Sequence, residues 1–289
     1  MIPSTTISMP VRLLADSGST KTEWCLLRPG QAPLTIRTDG INPYFQESDQ
    51  ITQTLRNQLL PELQDLQPAT VFFYGTGCNS PASSAKVAEA IRAIFPNASI
   101  DVQSDMLGAA RGAAGHQPAI VCILGTGANA ATYDGRGLTS PSYSLGFWLG
   151  DEGSGGNLGK RLVTAFLHNQ LPESLTKAFA EQYALDRLTV LDHAYNKPYP
   201  NRYFAQFAPF LSANRNDPFV QELLHQAFTE FLSLYVWRLP QPDKQPVHIV
   251  GSIGFYFGNE IRQAMTQQGL TPGLFLQAPM SGLIQYHFV

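Results

Sequence analysis

Hydrophobic and polar positions follow a regular order through the first third of the chain. Short apolar runs bounded by Gly, Pro or polar residues predict strands, and longer polar stretches with apolar residues at helical spacing predict helices. The predicted strands cover residues 11–15, 23–28, 34–38, 70–74 and 99–102, and the predicted helices cover 47–66, 83–95 and 106–114. This order of strands and helices is typical of an α/β domain.

A second set of elements begins near Pro118 and repeats the first pattern. Two apolar strands flank a short turn of Gly and hydroxyl residues, as they do at the start of the chain. Helical spacing then runs from about 155 to 238, and a last clear strand follows at 248–250. Because single hydrophobic cores stop growing near this chain length, we predict two α/β lobes. They comprise residues 1–117 and 118–289, and the second contains the helical insertion.

Composition and charge exclude several classes of protein. Only 14% of residues are charged, the net charge is -3 and no run of Lys or Arg occurs, so we expect neither a nucleic acid nor a membrane surface as partner. No apolar stretch approaches the ~20 residues of a membrane-spanning helix, and the polar N-terminus lacks the pattern of a signal peptide. Cys25, Cys78 and Cys122 are far apart, which argues against disulfide, zinc and iron–sulfur sites. We therefore expect a cytoplasmic protein with small-molecule partners.

The first candidate site is the polar turn that follows the first predicted strand. Phosphate groups are bound by backbone N–H groups that converge on them, and small residues allow that close approach. Asp16, at the strand end, is placed to hold Mg²⁺, because this ion uses few carboxylates and keeps part of its water shell. The same residues would also suit an ordinary β-turn. The candidate nucleotide-binding residues of this turn are Asp16, Gly18, Ser19, Thr20, Lys21 and Thr22.

The second candidate site repeats this composition after the first strand of the second lobe. Its sequence, Gly125-Thr126-Gly127-Ala128-Asn129, also fits the Gly-x-Gly-x-x-Ala fingerprint of dinucleotide-binding folds. That fingerprint requires a helix next, whereas a hairpin signal comes here at Asp134-Gly135, so we reject a nicotinamide cofactor. A later turn, Gly251-Ser252-Ile253-Gly254, follows the last clear strand and is placed to receive the adenosine of a nucleotide.

Acidic residues mark two further positions. Gly150-Asp151-Glu152-Gly153-Ser154 places paired acids between glycines at the start of a predicted helix, which is more than a helix cap requires; an acidic first turn of a helix is the alternative. Asp105 follows a strand, where a carboxylate can accept the proton of a hydroxyl during phosphoryl transfer, but Asp is also a favoured helix N-cap. Gly159-Lys160 resembles the end of a Walker A loop and fails, since Ser154 stands where Gly is required and Arg161 replaces Ser or Thr.

Taken together and in this order, these motifs resemble the family of N-acetylglucosamine kinases and BadF/BcrA-type ATPases, which belongs to the actin and hexokinase superfamily. The resemblance covers nearly the whole chain, and its most specific part is the five-residue match at 150–154 to the sugar kinases. Two positions depart from the family pattern. Ala128 replaces the usual Ser of the second phosphate loop, and only Gly146 remains of a Gly-Trp-Gly that usually precedes the acidic segment.

The resemblance implies an ATP-dependent sugar kinase that phosphorylates a hydroxyl of an amino sugar such as N-acetylglucosamine or N-acetylmuramic acid. It also implies two ribonuclease H-like lobes with an interlobe nucleotide cleft, and Asp105 as the catalytic base. ATP and Mg²⁺ are the expected cofactors, with Asp16 at the metal. Further nucleotide contacts are expected from Gly125, Thr126, Gly127, Gly251 and Ser252, and sugar contacts from Asn42, Asp105, Gly146, Asp151 and Glu152.

Two other functions stay open. One is an ATPase of the BadF/BcrA type that drives or activates a partner protein, and the other is a non-catalytic sensor of sugar or nucleotide. The cysteines do not suit the iron–sulfur cluster that the activating ATPases hold at their dimer interface. Because Asp16, Asp105 and Asp151 are all present, we favour the kinase. The resemblance also leaves a homodimer open.

Overall fold

The computed structural model describes residues 10–18, 20–64, 66–141 and 144–288. Its chain forms two compact units. The first contains the described residues up to Gly115 and the segment from Pro279 onward, and the second is His116–Ala278. None of the described helices is both long and apolar enough to span a membrane.

The first unit is built on a five-stranded sheet in the order β3-β2-β1-β4-β5. Strands β1 to β3 pair antiparallel, whereas β4 pairs parallel with both β1 and β5. The carboxyl ends of β1, β4 and β5 therefore lie at one edge of the sheet. The strands are β1 (Arg12–Ser17), β2 (Lys21–Leu27), β3 (Leu34–Asp39), β4 (Thr70–Gly75) and β5 (Ser99–Ser104).

Helices complete the first unit and pack on both faces of this sheet. Trp24 is fully buried, and its ring lies 5.8 Å from that of Phe73. Its indole N–H donates to the Thr38 hydroxyl at 3.0 Å, which gives the buried N–H the partner that it needs. The helices are α1 (Ser48–Thr54), which continues as a π-helical turn (Leu55–Leu59) and a 3-10 turn (Leu60–Leu63), α2 (Pro81–Ile94) and α3 (Asp105–Ala114).

The second unit repeats the topology of the first. Its sheet has the order β10-β9-β6-β7-β8, so that the first strand again lies between the second and the fourth. The repeat predicted from the two Gly/hydroxyl turns is thus a repeat of the whole sheet. The strands are β6 (Ala119–Leu124), β7 (Ala128–Tyr133), β8 (Leu138–Pro141), β9 (Pro246–Val250) and β10 (Thr271–Leu276).

Helices between β8 and β9 form the predicted insertion of the second unit. Aromatic rings make much of its core, and the buried Phe179 ring lies 4.9 to 5.7 Å from four others. The helices of this unit are α4 (Gly146–Leu149), α5 (Gly155–Leu167), α6 (Glu173–Tyr183), α7 (Arg187–Tyr195), α8 (Pro200–Ala205), α9 (Ala208–Ala213), α10 (Pro218–Phe231), its π-helical continuation (Leu232–Val236), a 3-10 turn (Pro242–Lys244), α11 (Ser252–Tyr256) and α12 (Gly258–Gln267).

Three elements go beyond the sequence expectation. Strands β8 and β10 have no clear strand pattern in the sequence, because each contains a proline. Both lie at an edge of the sheet, where the missing N–H of proline is tolerated. The last helix, α13 (Met280–Phe288), lies in the segment predicted to belong to the second lobe, but packs on α3 in the first unit. Two glycines allow this packing, since a Cβ at Gly282 would overlap the backbone of Gly112.

Substitution of Gly282 by Ala tests the contact between α13 and α3. The added methyl group has no room against the Gly112 carbonyl, so we expect the free energy of unfolding to fall by about 2 kcal/mol, as for other overpacked sites. Thermal and urea unfolding would measure the loss. Gly137→Ala is the control, because a Cβ there meets nothing within 4 Å. Equal stability of the two variants would contradict the close packing.

Candidate functional site

The first candidate loop is a tight turn between β1 and β2. The Gly18 N–H donates to the Lys21 carbonyl at 3.0 Å, and the Gly40 N–H donates to the Thr20 carbonyl at 3.1 Å. The side chains of Thr20 and Lys21 are exposed. Ser19 lies outside the described residues.

Thr22 braces this loop from inside the fold. It is fully buried; its hydroxyl lies 2.7 Å from the Ser17 hydroxyl and donates to the Asp39 carbonyl at 3.1 Å. The Ser17 hydroxyl in turn accepts the Ile41 N–H at 3.1 Å. These bonds give Thr22 a role in holding the shape of the loop.

Asp16 and Asp105 form a pair of poorly solvated carboxylates at the edge where β1 and β5 end. Burial, the negative charge of Asp105 and that of Glu23 raise the pKa of Asp16 to about 7, and the nearby Lys21 acts in the opposite direction. Burial also raises the pKa of Asp105. A divalent cation would relieve this repulsion, and carboxylate oxygens are the ligands that Mg²⁺ prefers.

The number of acids at this edge also bears on the metal. No group of three or more His, Cys, Asp or Glu side chains suited to a metal occurs within the described part of the chain. Mg²⁺ needs no such cage when it binds with a nucleotide, because phosphates and water supply most of its ligands. A single carboxylate at Asp16 therefore fits the predicted role.

Asp105 is held by two hydrogen bonds to its carboxylate. The Thr76 hydroxyl donates to Oδ2 at 2.7 Å, and the Met106 N–H donates to Oδ1 at 2.8 Å. Ser104 caps α3, because its hydroxyl accepts the Leu107 N–H at 3.2 Å. Asp105 is therefore not the N-cap that its position in the sequence also suggested.

Thr76 was not among the residues predicted from the sequence. It lies in the turn after β4, and its N–H donates to the Ser17 carbonyl at 2.9 Å. The sequence held one signal for it: Gly75-Thr76-Gly77 repeats the triplet of the predicted second phosphate loop.

Asn42 lies beside this turn. It is 7% exposed; its Oδ1 accepts the Tyr44 N–H at 3.0 Å and its own N–H donates to Oε1 of Gln46 at 2.7 Å. A Cβ at Gly77 would lie 2.5 Å from Asn42 Oδ1. The first unit thus brings the predicted residues Asp16, Asn42 and Asp105 together around the ends of β1, β4 and β5.

The second candidate loop is closed by the start of α5. The Gly125 N–H donates to the Gly127 carbonyl at 3.0 Å, while the Gly155 and Gly156 N–H groups donate to the carbonyls of Gly125 and Thr126 at 2.8 and 3.0 Å. The first N–H groups of a helix have no partner within the helix. Here two of them hold the loop in place.

Asp151 fastens the same loop from its other side. It is 6% exposed, its pKa is raised mainly by burial, and its Oδ1 accepts the Ala128 N–H at 3.1 Å. Its backbone has a φ of 60°, which is uncommon for a residue other than glycine. The hydroxyl of Tyr235, which the sequence did not single out, accepts the Asp151 N–H at 2.8 Å.

The remaining predicted residues of the second unit surround these two segments. Glu152 is half-buried and acts electrostatically on the Tyr235 hydroxyl. Gly146 is the first residue of α4 and has a φ of 73°, and its carbonyl would lie 3.4 Å from a Cβ at Gly150. It therefore adjoins the acidic segment.

The turn after β9 adjoins the second candidate loop. Gly251 has a φ of 122°, and a Cβ there would overlap the Leu124 carbonyl and lie 3.2 Å from the Gly125 nitrogen. Ser252 is the first residue of α11. The structure thus places Gly251 next to Gly125, with Ser252 following it in the chain.

The chain is similar to proteins of known family and structure. Residues 15–252 match the model of the BadF/BadG/BcrA/BcrD ATPase family. A candidate N-acetylglucosamine kinase from Porphyromonas gingivalis is 40% identical with a TM-score of 0.91, and the match covers 95% of this chain and 98% of that one. No curated protein matches the chain.

More distant structures share the fold. A candidate N-acetylglucosamine kinase from Chromobacterium violaceum has 22% identity and a TM-score of 0.74, over 96% of this chain and 99% of that one. A ROK family glucokinase from Streptomyces griseus, solved with glucose and AMPPNP, has 15% identity and a TM-score of 0.56, over 96% and 97%. These likenesses and the repeated sheet confirm the predicted α/β fold of two actin- or hexokinase-like lobes.

The family model covers most of the chain, and the Porphyromonas gingivalis protein is similar along nearly its whole length. The resemblance inferred from the motifs is therefore confirmed. The chain belongs to the BadF/BadG/BcrA/BcrD ATPase family.

Proposed function

We propose that this protein is an ATP-dependent kinase that phosphorylates a hydroxyl of an amino sugar such as N-acetylglucosamine or N-acetylmuramic acid. The observation that carries the proposal is the Asp105 carboxylate, held by Thr76 and Met106 beside Asp16 and near the Asn42 turn. The 40% identity to a candidate N-acetylglucosamine kinase supports the choice of substrate class.

Asp105 acts as the general base in this mechanism. A sugar hydroxyl has a high pKa, so a carboxylate that accepts its proton assists attack on the terminal phosphate. Each Asp105 oxygen accepts one hydrogen bond from the protein and keeps a lone pair for the substrate. Low solvation raises the pKa of this carboxyl, which makes the carboxylate a stronger base than an exposed one.

The glycine-containing turns bind the nucleotide. Residues 18–21 and 125–127 contact the phosphates, while the buried Thr22 holds the shape of the first loop. Gly251 and Ser252 receive the adenosine. Asp16 would hold Mg²⁺, which supplies charge neutralisation at the phosphates when it is bound. Positioning and electrostatics then carry most of the rate enhancement, as is general for phosphoryl transfer.

The residues that we propose for binding the sugar are Asn42, Asp105, Gly146, Asp151 and Glu152. Because the Asp151 carboxylate also accepts the Ala128 N–H, its removal should weaken ATP binding as well. A cytoplasmic location and a homodimer complete the proposal.

Replacement of Asp105 by Asn tests the assignment of the base. The amide cannot accept the proton, so we expect kcat for the best sugar of a panel to fall by about 10² to 10⁴, with ATP binding unchanged. A coupled ADP-release assay would measure the loss. Asp49→Asn is the control, since Asp49 is an exposed acid of the same unit. Wild-type turnover of Asp105→Asn would refute the assignment.

The same assay separates the alternative functions. Hydrolysis of ATP that no sugar accelerates would favour the BadF/BcrA-type ATPase acting on a partner protein. Retained ATP binding without turnover on any sugar would favour the non-catalytic sensor.

Replacement of Asp16 by Asn tests whether the pKa of Asp16 is raised in the folded protein, because such a shift changes the free energy of unfolding. A carboxyl with a pKa of about 7 when folded and 3.8 when unfolded binds its proton more tightly in the folded state. The wild type therefore loses stability as pH rises from about 4 to 7. A shift of three pKa units corresponds to about 4 kcal/mol, and partial hydration of the site reduces this to about half. In EDTA at pH 8 we therefore expect Asp16→Asn to be more stable than the wild type by about 2 kcal/mol.

Thermal unfolding at pH 4 and pH 8 would measure this difference. At pH 4 the Asp16 carboxyl is protonated in the folded state and still partly protonated in the unfolded state, so most of the advantage of Asp16→Asn should vanish there. Asp49→Asn should show no such dependence on pH. An advantage of Asp16→Asn that is absent at pH 8 would contradict the electrostatic pairing.

A further inference from the structure

One turn of the first unit contacts both of the side chains that the proposed reaction needs there. This turn, Gly75–Cys78, begins at the last residue of β4 and is called the connector turn below. On one side the Thr76 hydroxyl donates to Asp105 Oδ2 at 2.7 Å. Its backbone continues the sheet, since the Thr76 N–H donates to the Ser17 carbonyl at 2.9 Å. The turn is therefore anchored to the strand that carries Asp16.

On its other side the connector turn contacts the Asn42 loop. Gly77 has a φ of 85°, which few residues other than glycine adopt. A Cβ at this position would lie 2.5 Å from Asn42 Oδ1 and 3.0 Å from the Tyr44 ring. Both the backbone conformation and the space thus require glycine at position 77.

The part of the loop that Gly77 contacts is itself rigid. Asn42 Oδ1 accepts the Tyr44 N–H at 3.0 Å, and the Phe45 and Gln46 N–H groups donate to the Asn42 carbonyl at 3.0 and 3.1 Å. The Tyr44 side chain is 64% exposed beside it. A shift of Gly77 would therefore move Asn42 and Tyr44 together.

We propose that the connector turn sets the distance between the base and the sugar-binding loop, with Thr76 as a positioning residue for Asp105 and Gly77 as a spacer for Asn42 and Tyr44. This inference rests on the proposed kinase function. Phosphoryl transfer depends on position, and a displacement of about 1 Å between reacting groups can reduce the rate about 10²-fold. Thr76 contacts the base and its neighbour Gly77 contacts the Asn42 loop. Because the two residues are adjacent in the chain, they form a short covalent link between the base and that loop.

The two halves of the proposal affect different kinetic constants. Thr76→Val keeps the shape of the side chain and removes its hydroxyl, so Asp105 loses an orienting bond. We expect kcat to fall about 10- to 100-fold, with KM for the sugar within about threefold of the wild type. Thr76→Ser keeps the donor, and we expect its kcat to stay within about threefold of the wild type.

Gly77→Ala should act on the acceptor instead. The added methyl displaces Asn42 and Tyr44, so we expect KM for the sugar to rise about tenfold or more, with KM for ATP within about threefold of the wild type. Gly137→Ala, where a Cβ has open space, should change neither constant. Thermal unfolding of every variant would show that it is folded at the assay temperature.

The outcomes separate this inference from the proposed function. An inactive wild type on every sugar would reject the kinase function and this inference with it. An active wild type with an unchanged Thr76→Val variant would reject the inference alone. Equal loss of kcat in Thr76→Val and Thr76→Ser, together with lower unfolding temperatures, would also reject it, because the position would then have only a structural role. A fall in kcat for Thr76→Val that Thr76→Ser restores, together with a raised sugar KM for Gly77→Ala, would support it.

Discussion

Parallel pairing of β4 with both β1 and β5 is the constraint on which the candidate site of the first unit depends. Parallel neighbours end at the same edge of a sheet, so residues far apart in sequence meet there. Asp16 lies near the carboxyl end of β1, Thr76 comes directly after β4, and Asp105 comes directly after β5. The register pairs Gly75 with both Ser17 and Ser104, which places the connector turn beside both carboxylates. Loss of this pairing would separate the proposed base from the residue that orients it.

The pair of acids shows how the fold keeps groups that do not stabilise it. Burial, together with the nearby negative charges of Asp105 and Glu23, raises the pKa of Asp16 to about 7. A structure optimised for stability alone would replace one of the two acids. Their presence at a strand edge, with Thr76 and Met106 holding one carboxylate as an acceptor, is typical of a site whose chemistry needs negative charge.

The second unit has the same topology but different contacts around its turns. Its first turn is held by the N–H groups of Gly155 and Gly156 and by the Asp151 carboxylate, and no base stands in it. The turn after its fourth strand, at Gly251, packs on the loop at Gly125, whereas the corresponding turn of the first unit carries Thr76. The repeat therefore supplies two versions of one framework. We propose that the first carries the base and that the first turn of each contacts the nucleotide phosphates.

The sequence by itself determined where most of the strands lie, because apolar runs bounded by turn residues mark them. It also determined the order of the glycine-containing motifs and hence the family. These features are local, because each depends on residues close together in the chain. Only the tertiary structure decided that Ser104 rather than Asp105 caps α3 and that α13 packs with the first unit. It also decided that Thr76 binds the Asp105 carboxylate and that the Tyr235 hydroxyl binds the Asp151 N–H. The cap is a local contact whose choice between two neighbouring residues the sequence left open. The other facts depend on contacts between residues 29 to 84 positions apart or on close approach of two helices, which no local pattern encodes.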